Sequence, residues 1–309
     1  MNKLFYILLL LITVSCQKAI EFDLPDTNST LVIEAIVEND SFPKVFLTRS
    51  QGYFDPLNPS TVGDMFILDA SEVILNDGTN DYNLSLDIDF SYFDSIPVPV
   101  YTNNDINIIG EFGKNYTLKV FYKGDTLTAR AKIPQPIYMD SLWFEAYEAL
   151  DSLGFIWANF EDADTFGNCY RWFAQRINSY TYNYDPPFDN VKGTMKDRRP
   201  LAPIGSSTDD KLFNGLKFDF AFPRGEDGAA EGPDDEGDEE AFFKRGDTVL
   251  VKSTTTTYPV YLYVRAMENA AVSNGSIFSS PGNLPYNVEG DGIGIFYGYG
   301  STYDTLICE

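Results

Sequence analysis

The chain has 309 residues with 22 Lys and Arg against 46 Asp and Glu, which gives a formal net charge of −24, and it contains no His. The missing His excludes a Ser-His-Asp triad, a Cys-His dyad and a His-ligated zinc site, and the acidic balance argues against a nucleic-acid partner. With 44% apolar and 15% aromatic residues the chain can build a core, and its length suggests about two domains.

The first sixteen residues resemble a bacterial lipoprotein signal. After one positive charge, an uninterrupted apolar run over 4–12 leads shortly to Cys16. Such a run is too short to span a bilayer, which takes roughly 20 apolar residues. We therefore predict a signal peptide over 1–15, lipidation of Cys16 with chains such as palmitate, and a tether over 16–25. The usual Leu three places before the cysteine is replaced by Thr13, and an ordinary signal peptide with a chance cysteine is the alternative.

Alternation of apolar and polar residues predicts strands over the region that follows. The clearest is 115–122, where alternate residues from Tyr116 onward face one side, and a Lys-Gly-Asp turn leads into a returning strand over 126–133. Tyr116 also resembles the tyrosine corner of immunoglobulin-like sandwiches, with a simple buried Tyr as the alternative. We predict an N-terminal β-sandwich domain over 26–134. Its other predicted strands are 30–37, 44–48, 72–75 and 82–86.

Pro134 and Pro136 interrupt this pattern, because two prolines around one residue cannot continue a central strand. We place a domain boundary there and predict a C-terminal β-sandwich-like domain over 137–309, with long loops at 189–215 and 224–245. The expected fold class is therefore mainly β, with two immunoglobulin- or fibronectin-like sandwiches in tandem. Further strands are predicted at 140–149, 155–161, 169–177, 216–222, 247–252 and 302–308.

One segment has the period of a helix. Thr257 can cap it, Pro259 suits its first turn, and apolar residues recur at 260, 264, 267 and 271. We predict a short helix over 257–273.

Two cysteines, Cys169 and Cys308, remain after Cys16. An exported protein lies in a compartment that permits disulfides. A bridge between them requires their strands to adjoin, and buried free thiols are the alternative.

Residues 226–240 contain nine acids in fifteen positions. Clustered carboxylates can bind calcium, but no register here fits an EF-hand loop. Like charges in a Gly-rich stretch repel each other and stay solvated. We therefore predict a solvated loop, and neither a metal site nor a cofactor is expected in this protein.

A row of aromatic residues before a Pro-Pro break is the best candidate for a partner-binding surface, because Tyr is enriched in interface hot spots. Packing of the same residues into the core is the alternative. The candidates are Tyr180, Tyr182, Tyr184 and Phe188.

A carbohydrate-active enzyme is a third possibility. Glu161, Asp162 and Asp164 lie beside Trp157 and Trp172 in the predicted strands, as an acid pair near a sugar-stacking platform would. A turn between two strands with core tryptophans accounts for the same residues, and with 46 acids some pair always lies at a suitable spacing. We therefore expect no enzymatic activity.

Several motifs in order resemble a family of Bacteroidota lipoproteins known by its domain of unknown function 4249. They are Cys16 with the following 21–25, and then 31–34, 113–118, 133–142 and the ending 281–300, where Asn287 precedes Gly-Ile-Gly-Ile-Phe. The resemblance implies two stacked β-domains and a gene neighbour that encodes a TonB-dependent outer-membrane receptor. The family has no established catalytic residues, so none is assigned here.

The expected function is that of a lipid-anchored protein of the outer membrane at the cell surface, acting without catalysis beside a TonB-dependent receptor in nutrient capture or import. A structural or adhesive surface lipoprotein without a transport role is the alternative, with the periplasmic face as the alternative location. The ligand is not readable from the sequence.

Overall fold

The computed structural model describes residues 29–52, 58–91, 97–147, 153–178, 180–183, 192–195, 197, 199–225, 241–273 and 284–309. Strands account for 53% of them, which confirms the predicted mainly β class. Within these ranges no helix is long and apolar enough to cross a membrane. The predicted signal peptide, Cys16 and the tether lie outside the described residues.

The prediction of one strand over 82–86 is wrong, because the chain breaks at Leu84 into two strands that belong to different sheets; the other strands predicted before Pro134 are confirmed. Eight strands are described there. They are β1 (Leu31–Glu38), β2 (Lys44–Arg49), β3 (Glu72–Asn76), β4 (Asp81–Asn83), β5 (Ser85–Asp89), β6 (Val98–Thr102), β7 (Asn115–Tyr122) and β8 (Asp125–Lys132). The sequence did not predict β6, a short helix α1 (Pro59–Met65) or a 3-10 turn at Ile106–Ile108.

Eleven strands are described after Pro136, and the last of them is the longest. They are β9 (Met139–Ala146), β10 (Leu153–Glu161), β11 (Cys169–Arg176), β12 (Tyr180–Asn183), β13 (Lys192–Met195), β14 (Ser207–Asp209), β15 (Lys217–Phe222), β16 (Phe243–Lys244), β17 (Thr248–Thr256), β18 (Val288–Glu289) and β19 (Gly292–Ile307). The predicted helix is confirmed as α2 (Tyr258–Ser273), and the N–H of Tyr261 donates to the carbonyl of Thr257 at its start.

Eight strands form one sheet in the order β14-β11-β17-β19-β1-β2-β6-β5. At its centre β1 runs parallel to the first half of β19, with Leu31 opposite Gly292 and Glu38 opposite Tyr299. The second half of β19 pairs with β17. This sixteen-residue strand therefore joins the first and last parts of the chain in one sheet.

One face of the large sheet carries two hydrophobic clusters, each covered by a smaller sheet. The five-stranded sheet β18-β8-β7-β3-β4 covers the first cluster, and the sheet of β9, β10, β15 and β16 covers the second. Because residues alternate between the faces of a strand, Phe296 in the first cluster and Leu306 in the second lie on the same side of β19.

The boundary predicted at 134–136 falls between these clusters, but the chain crosses it again near its end. Val288 and Phe296 belong to the first cluster, and β18 pairs with β8. A division into two domains stays a prediction. The structure adds that the N-terminal cluster includes residues from the last part of the chain.

Glycines let β19 lie directly against the chain that crosses it. A Cβ atom on Gly298 would overlap the backbone oxygen of Lys132, and one on Gly300 would overlap that of Pro134. Only a residue without a side chain permits such an approach. The glycine-rich ending thus serves packing between the sheets.

Two Asn side chains extend the hydrogen bonding of β19. Asn39 accepts from the N–H of Ser301 at 2.6 Å and donates to its carbonyl at 3.1 Å. Asn287 makes the same pair of bonds with Phe296, at 2.8 and 2.7 Å. Each side-chain amide thus makes the pair of hydrogen bonds that a neighbouring strand would make. Asn39 does so just after the β1–β19 ladder ends, and Asn287 does so in the first part of β19.

The prediction of long loops at 189–215 and 224–245 is wrong in part, because both ranges contain short strands. Within 189–215, β14 adds to the edge of β11, with Ser207 opposite Arg171, and β13 pairs with β12. Within 224–245, β16 pairs with β10, while 226–240 lie outside the described residues. These strands have two to four residues, which is too short for apolar and polar residues to alternate recognisably, so the sequence showed no strand pattern there.

Cys169 and Cys308 are free and buried, as the second alternative predicted. Cys169 is paired with Thr256 at one end of β17, and the N–H of Cys308 donates to the carbonyl of Asp247 at the other end. The length of this strand separates the two by roughly 30 Å. A disulfide needs Cα atoms within about 7 Å, so the bridge is excluded.

Burial raises the pKa of both thiols to about 12. In a Cys16→Ala variant, we therefore expect iodoacetamide to leave the folded chain unmodified at pH 8, because the thiolate is the reactive form. After unfolding in guanidinium chloride, intact mass should show that both remaining thiols are alkylated. Alkylation of the folded chain at the rate of the unfolded one would contradict the burial.

Candidate functional site

The uncovered face of the large sheet forms the floor of a cavity of about 450 Å³, and α2 provides one wall. Val260 and Val264 of this helix pack against Tyr299 of β19. Floor residues come from β1 and β2 as well as β11, β17 and β19. The cavity is therefore built from both sides of the predicted boundary.

Strand alternation places charged residues on this floor. On β1, Leu31, Ile33, Ala35 and Val37 enter the hydrophobic cluster, so Glu34 and Glu38 face the cavity. The charged lining residues are Glu34, Glu38, Lys44, Arg171, Arg199 and Lys252. Basic side chains thus outnumber acidic ones inside the cavity of a protein whose net charge is −24.

Lys252 and Glu38 neutralise each other at one end of the floor. The ammonium of Lys252 lies 2.6 Å from Oε2 of Glu38, and the hydroxyl of Tyr303 donates to Oε1 at 2.5 Å. The rings of Phe173 and Tyr299 lie 5.1 and 5.6 Å from the same ammonium. Burial lowers the pKa of Lys252, and the charge of Glu38 opposes this. Both ionic groups therefore already have partners.

Arg171 is positioned differently. Its Nη1 donates to the hydroxyl of Tyr299 at 3.1 Å, its Nε to Oγ of Ser206 at 3.4 Å, and its Cζ lies 4.9 Å from the centre of the Phe173 ring. No carboxylate of the described ranges forms an ion pair with it. The guanidinium is held by neutral groups and keeps further N–H donors for a ligand.

Glu34 is the second charged lining residue for which the described ranges show no ionic partner, and it is exposed. Its side chain reaches solvent through the cavity, and no described residue donates a hydrogen bond to its carboxylate. Surrounding protein still removes enough water that burial raises its pKa, while the charge of Arg171 lowers it. The two groups sense each other but form no ion pair.

Glu268 of α2 supports this region from behind. Its Oε2 accepts the N–H of Gly205 at 3.2 Å, whereas its buried Oε1 has no hydrogen-bond partner among the described residues. Burial lowers the pKa of Arg171. The neighbouring Tyr299 and Tyr297 and the charge of Glu268 raise it, and together they outweigh burial, so the pKa of Arg171 is raised.

The structure describes two of the four aromatic residues singled out in the sequence. Tyr180 and Tyr182 lie on β12, paired with Met195 and Gly193 of β13. Tyr184 and Phe188 lie outside the described residues, as do Cys16 and the acidic segment 226–240. In the described ranges no group of acidic or Cys residues is arranged to hold a metal ion.

The two tryptophans of the possible sugar platform lie in different sheets, and only Trp172 faces the core between them. Trp157 stacks on Trp143, with ring centroids 6.1 Å apart, whereas Trp172 is buried in the second hydrophobic cluster. Asp162 is buried as well, and it accepts from the hydroxyl of Tyr170 and the N–H of Gly215. Trp157 and Trp172 therefore do not form one platform beside Asp162.

Sequence reasoning did not find the cavity residues, although a signal was present. Glu34 and Glu38 interrupt an otherwise apolar strand, and Lys252 does the same in β17. When one face of a strand packs into the core, charged residues on its other face indicate that this second face contacts solvent or a cavity. Their convergence depends on strand order, which the pattern does not contain.

Neither the protein-family models nor the curated proteins include a match to this chain. The resemblance to the lipoprotein family therefore stays a prediction from motifs.

Proposed function

We propose that this protein is a lipid-anchored outer-membrane protein that binds a small nutrient molecule in the cavity under α2 and passes it to a TonB-dependent receptor. The observation that carries the binding role is a cavity of about 450 Å³ in which Arg171 and Glu34 have no ionic partner. Binding sites in proteins are concave, of this size, and combine apolar walls with a few convergent polar groups.

Two unpaired charges in such a place favour binding over a purely structural role. Arg171 is the less exposed of the two, and a partly desolvated charge without an ionic partner costs stability. A structural lipoprotein gains nothing from this cost, whereas a ligand that pairs with the charges recovers it on binding.

Only the sequence supports the proposed lipid anchor at Cys16 and the proposed receptor partner. The apolar run before Cys16 and the order of motifs that resembles the lipoprotein family motivate both. An anchor keeps the protein at one membrane, which raises its effective concentration towards a barrel in that membrane.

We also propose that the two covered clusters correspond to tandem immunoglobulin- or fibronectin-like sandwiches that share the large sheet. In the first, the buried Tyr116 accepts a hydrogen bond from the N–H of Glu111 at 2.9 Å, as a tyrosine corner does. In the second, Trp172 packs edge-on to Phe160 between the two layers.

The surface that contacts the receptor is proposed to include the aromatic row. Tyr180 and Tyr182 belong to β12. Tyr184 and Phe188 follow in the chain. Rigid aromatic side chains provide contact area at a low entropic cost.

Affinity purification in mild detergent, through a tag after Glu309, tests this proposal. We expect the wild-type chain to recover a TonB-dependent receptor. The Cys16→Ala variant should leave the membrane fraction and recover much less of it, because the anchor concentrates both partners in one membrane.

A Tyr180→Ala/Tyr182→Ala variant should stay in the membrane and recover less receptor, by roughly 2 kcal/mol of binding free energy if the two are hot spots. A lower melting temperature of this variant with unchanged recovery would instead identify core tyrosines. Recovery of the wild-type chain alone would favour the structural alternative.

A further inference from the structure

We infer that the cavity recognises a small zwitterion, with the carboxylate of the ligand bound by Arg171 and its ammonium bound by Glu34. The ligand class is that of an α-amino acid or a short peptide. This inference rests on the proposed function, in that it names the ligand class of the same cavity.

Arg171 is prepared for a carboxylate. A guanidinium has five N–H donors, and two are used, one by Tyr299 and one by Ser206. The ring of Phe173 and these two partners hold the group in place. A planar guanidinium pairs with a carboxylate through two parallel hydrogen bonds, and a fixed one loses little entropy in doing so.

Glu34 supplies the complementary charge. Its carboxylate faces the cavity without a hydrogen-bond donor from the described part of the chain. An ammonium offers three donors, and a charged hydrogen bond inside a partly desolvated site is among the stronger ones.

The separation of the two groups is what selects a zwitterion. Arg171 lies on β11 and Glu34 on β1, with β17 and β19 between these strands. The sheet therefore keeps the charges apart, although each is the natural partner of the other. A purely anionic ligand on Arg171 would leave Glu34 unpaired, and a purely cationic ligand on Glu34 would leave Arg171 unpaired.

The other charged pair does not compete for the ligand. Lys252 and Glu38 are already joined at 2.6 Å, and Tyr303 occupies the second oxygen of Glu38. Lys44 is likewise paired, with Asp89 at 2.6 Å.

The walls indicate the side chain of the ligand. Val260, Val264 and Met267 of α2 face Phe173 and Tyr297 across the cavity. Aliphatic and aromatic groups gain free energy when they leave water for such a wall. We therefore expect the apolar amino acids to bind best.

Isothermal titration calorimetry with the full chain in detergent at pH 7 tests the inference. The probes are L-phenylalanine, N-acetyl-L-phenylalanine, L-phenylalaninamide and glycyl-L-phenylalanine. Acetylation removes the ammonium, and amidation removes the carboxylate. Each blocked probe should therefore bind at least about tenfold more weakly than the tighter of the two zwitterions, L-phenylalanine or glycyl-L-phenylalanine. Tighter binding of the dipeptide identifies peptides as the source, and tighter binding of phenylalanine identifies free amino acids.

Variants assign each charge to its residue. Arg171→Gln should remove the preference for L-phenylalanine over its amide, and Glu34→Gln the preference over its N-acetyl form. Arg130→Gln and Glu289→Gln are matched controls, because these residues pair with each other on the surface, with 65% and 66% of their side chains exposed. Both controls should keep both preferences.

The comparison of probes on the wild-type chain needs no variant, so it stands even if Arg171→Gln fails to fold. Equal affinity for free and blocked probes, or binding of none of them at millimolar concentration, would overturn the inference. Recovery of the receptor together with such a result would leave the proposed function standing. Probe binding without any receptor would reject the transport role and keep the ligand class.

Discussion

Replacement of Gly298 by Ala is expected to lower the free energy of unfolding by about 3 kcal/mol, because the new methyl group has no space. Its position overlaps the backbone oxygen and carbon of Lys132, and the nitrogen of Ile133 is also close. These are backbone atoms, so no side-chain rotation relieves the clash. The sheets on the two sides of the first cluster would have to move apart.

Urea unfolding followed by far-ultraviolet circular dichroism measures this change. Gly63→Ala is the matched control, because no atom of the described residues lies within 4 Å of the added Cβ in α1. In a helix the same substitution should be neutral or stabilising by up to about 1 kcal/mol. Equal stability of Gly298→Ala and the wild type would show that β19 does not lie against the crossing chain.

Replacement of Arg176 by Met should destabilise the protein by about 3–5 kcal/mol, since it leaves a buried carboxylate without its cation. The side chains of Arg176 and Asp247 are only 1% and 2% exposed, and Nε of Arg176 lies 2.9 Å from Oδ2 of Asp247. Besides Arg176, the N–H of Lys244 donates to this oxygen at 2.8 Å. One backbone hydrogen bond does not compensate a full charge.

The same unfolding experiment distinguishes loss of the ion pair from loss of packing. The double variant Arg176→Met/Asp247→Leu should recover most of the lost stability, because an apolar pair needs no counter-charge. Arg130→Gln, which breaks the exposed pair with Glu289, should cost less than about 1 kcal/mol. A loss after Arg176→Met as small as after Arg130→Gln would contradict a desolvated pair.

Local patterns in the sequence predicted most of the local structure. Alternation from Tyr116 onward identified β7, and the turn after it identified the hairpin with β8, in which Tyr122 is opposite Asp125. The spacing of Val260, Val264 and Met267 identified α2. These elements depend on neighbours a few residues apart, so a local pattern is sufficient.

The same patterns did not predict β14 or β16. The first is short and polar, and the second has two residues and follows the acidic segment 226–240. Each forms by adding to the edge of a strand that already exists, β11 or β10. The pairing partner lies far away in the chain, so the local sequence does not contain the information.

The sequence by itself determined the mainly β class, the position of the helix, the absence of His chemistry and the candidate lipid attachment at Cys16. Only the tertiary structure decided that β1 pairs in parallel with β19, with Leu31 opposite Gly292, and that Cys169 and Cys308 lie at opposite ends of β17. It also decided the cavity. Alternation says that Glu34 and Glu38 share a face of β1. Strand order and the return of α2 across that face bring Arg171 of β11 into the same cavity as Glu34, and both features come from contacts between residues distant in the chain.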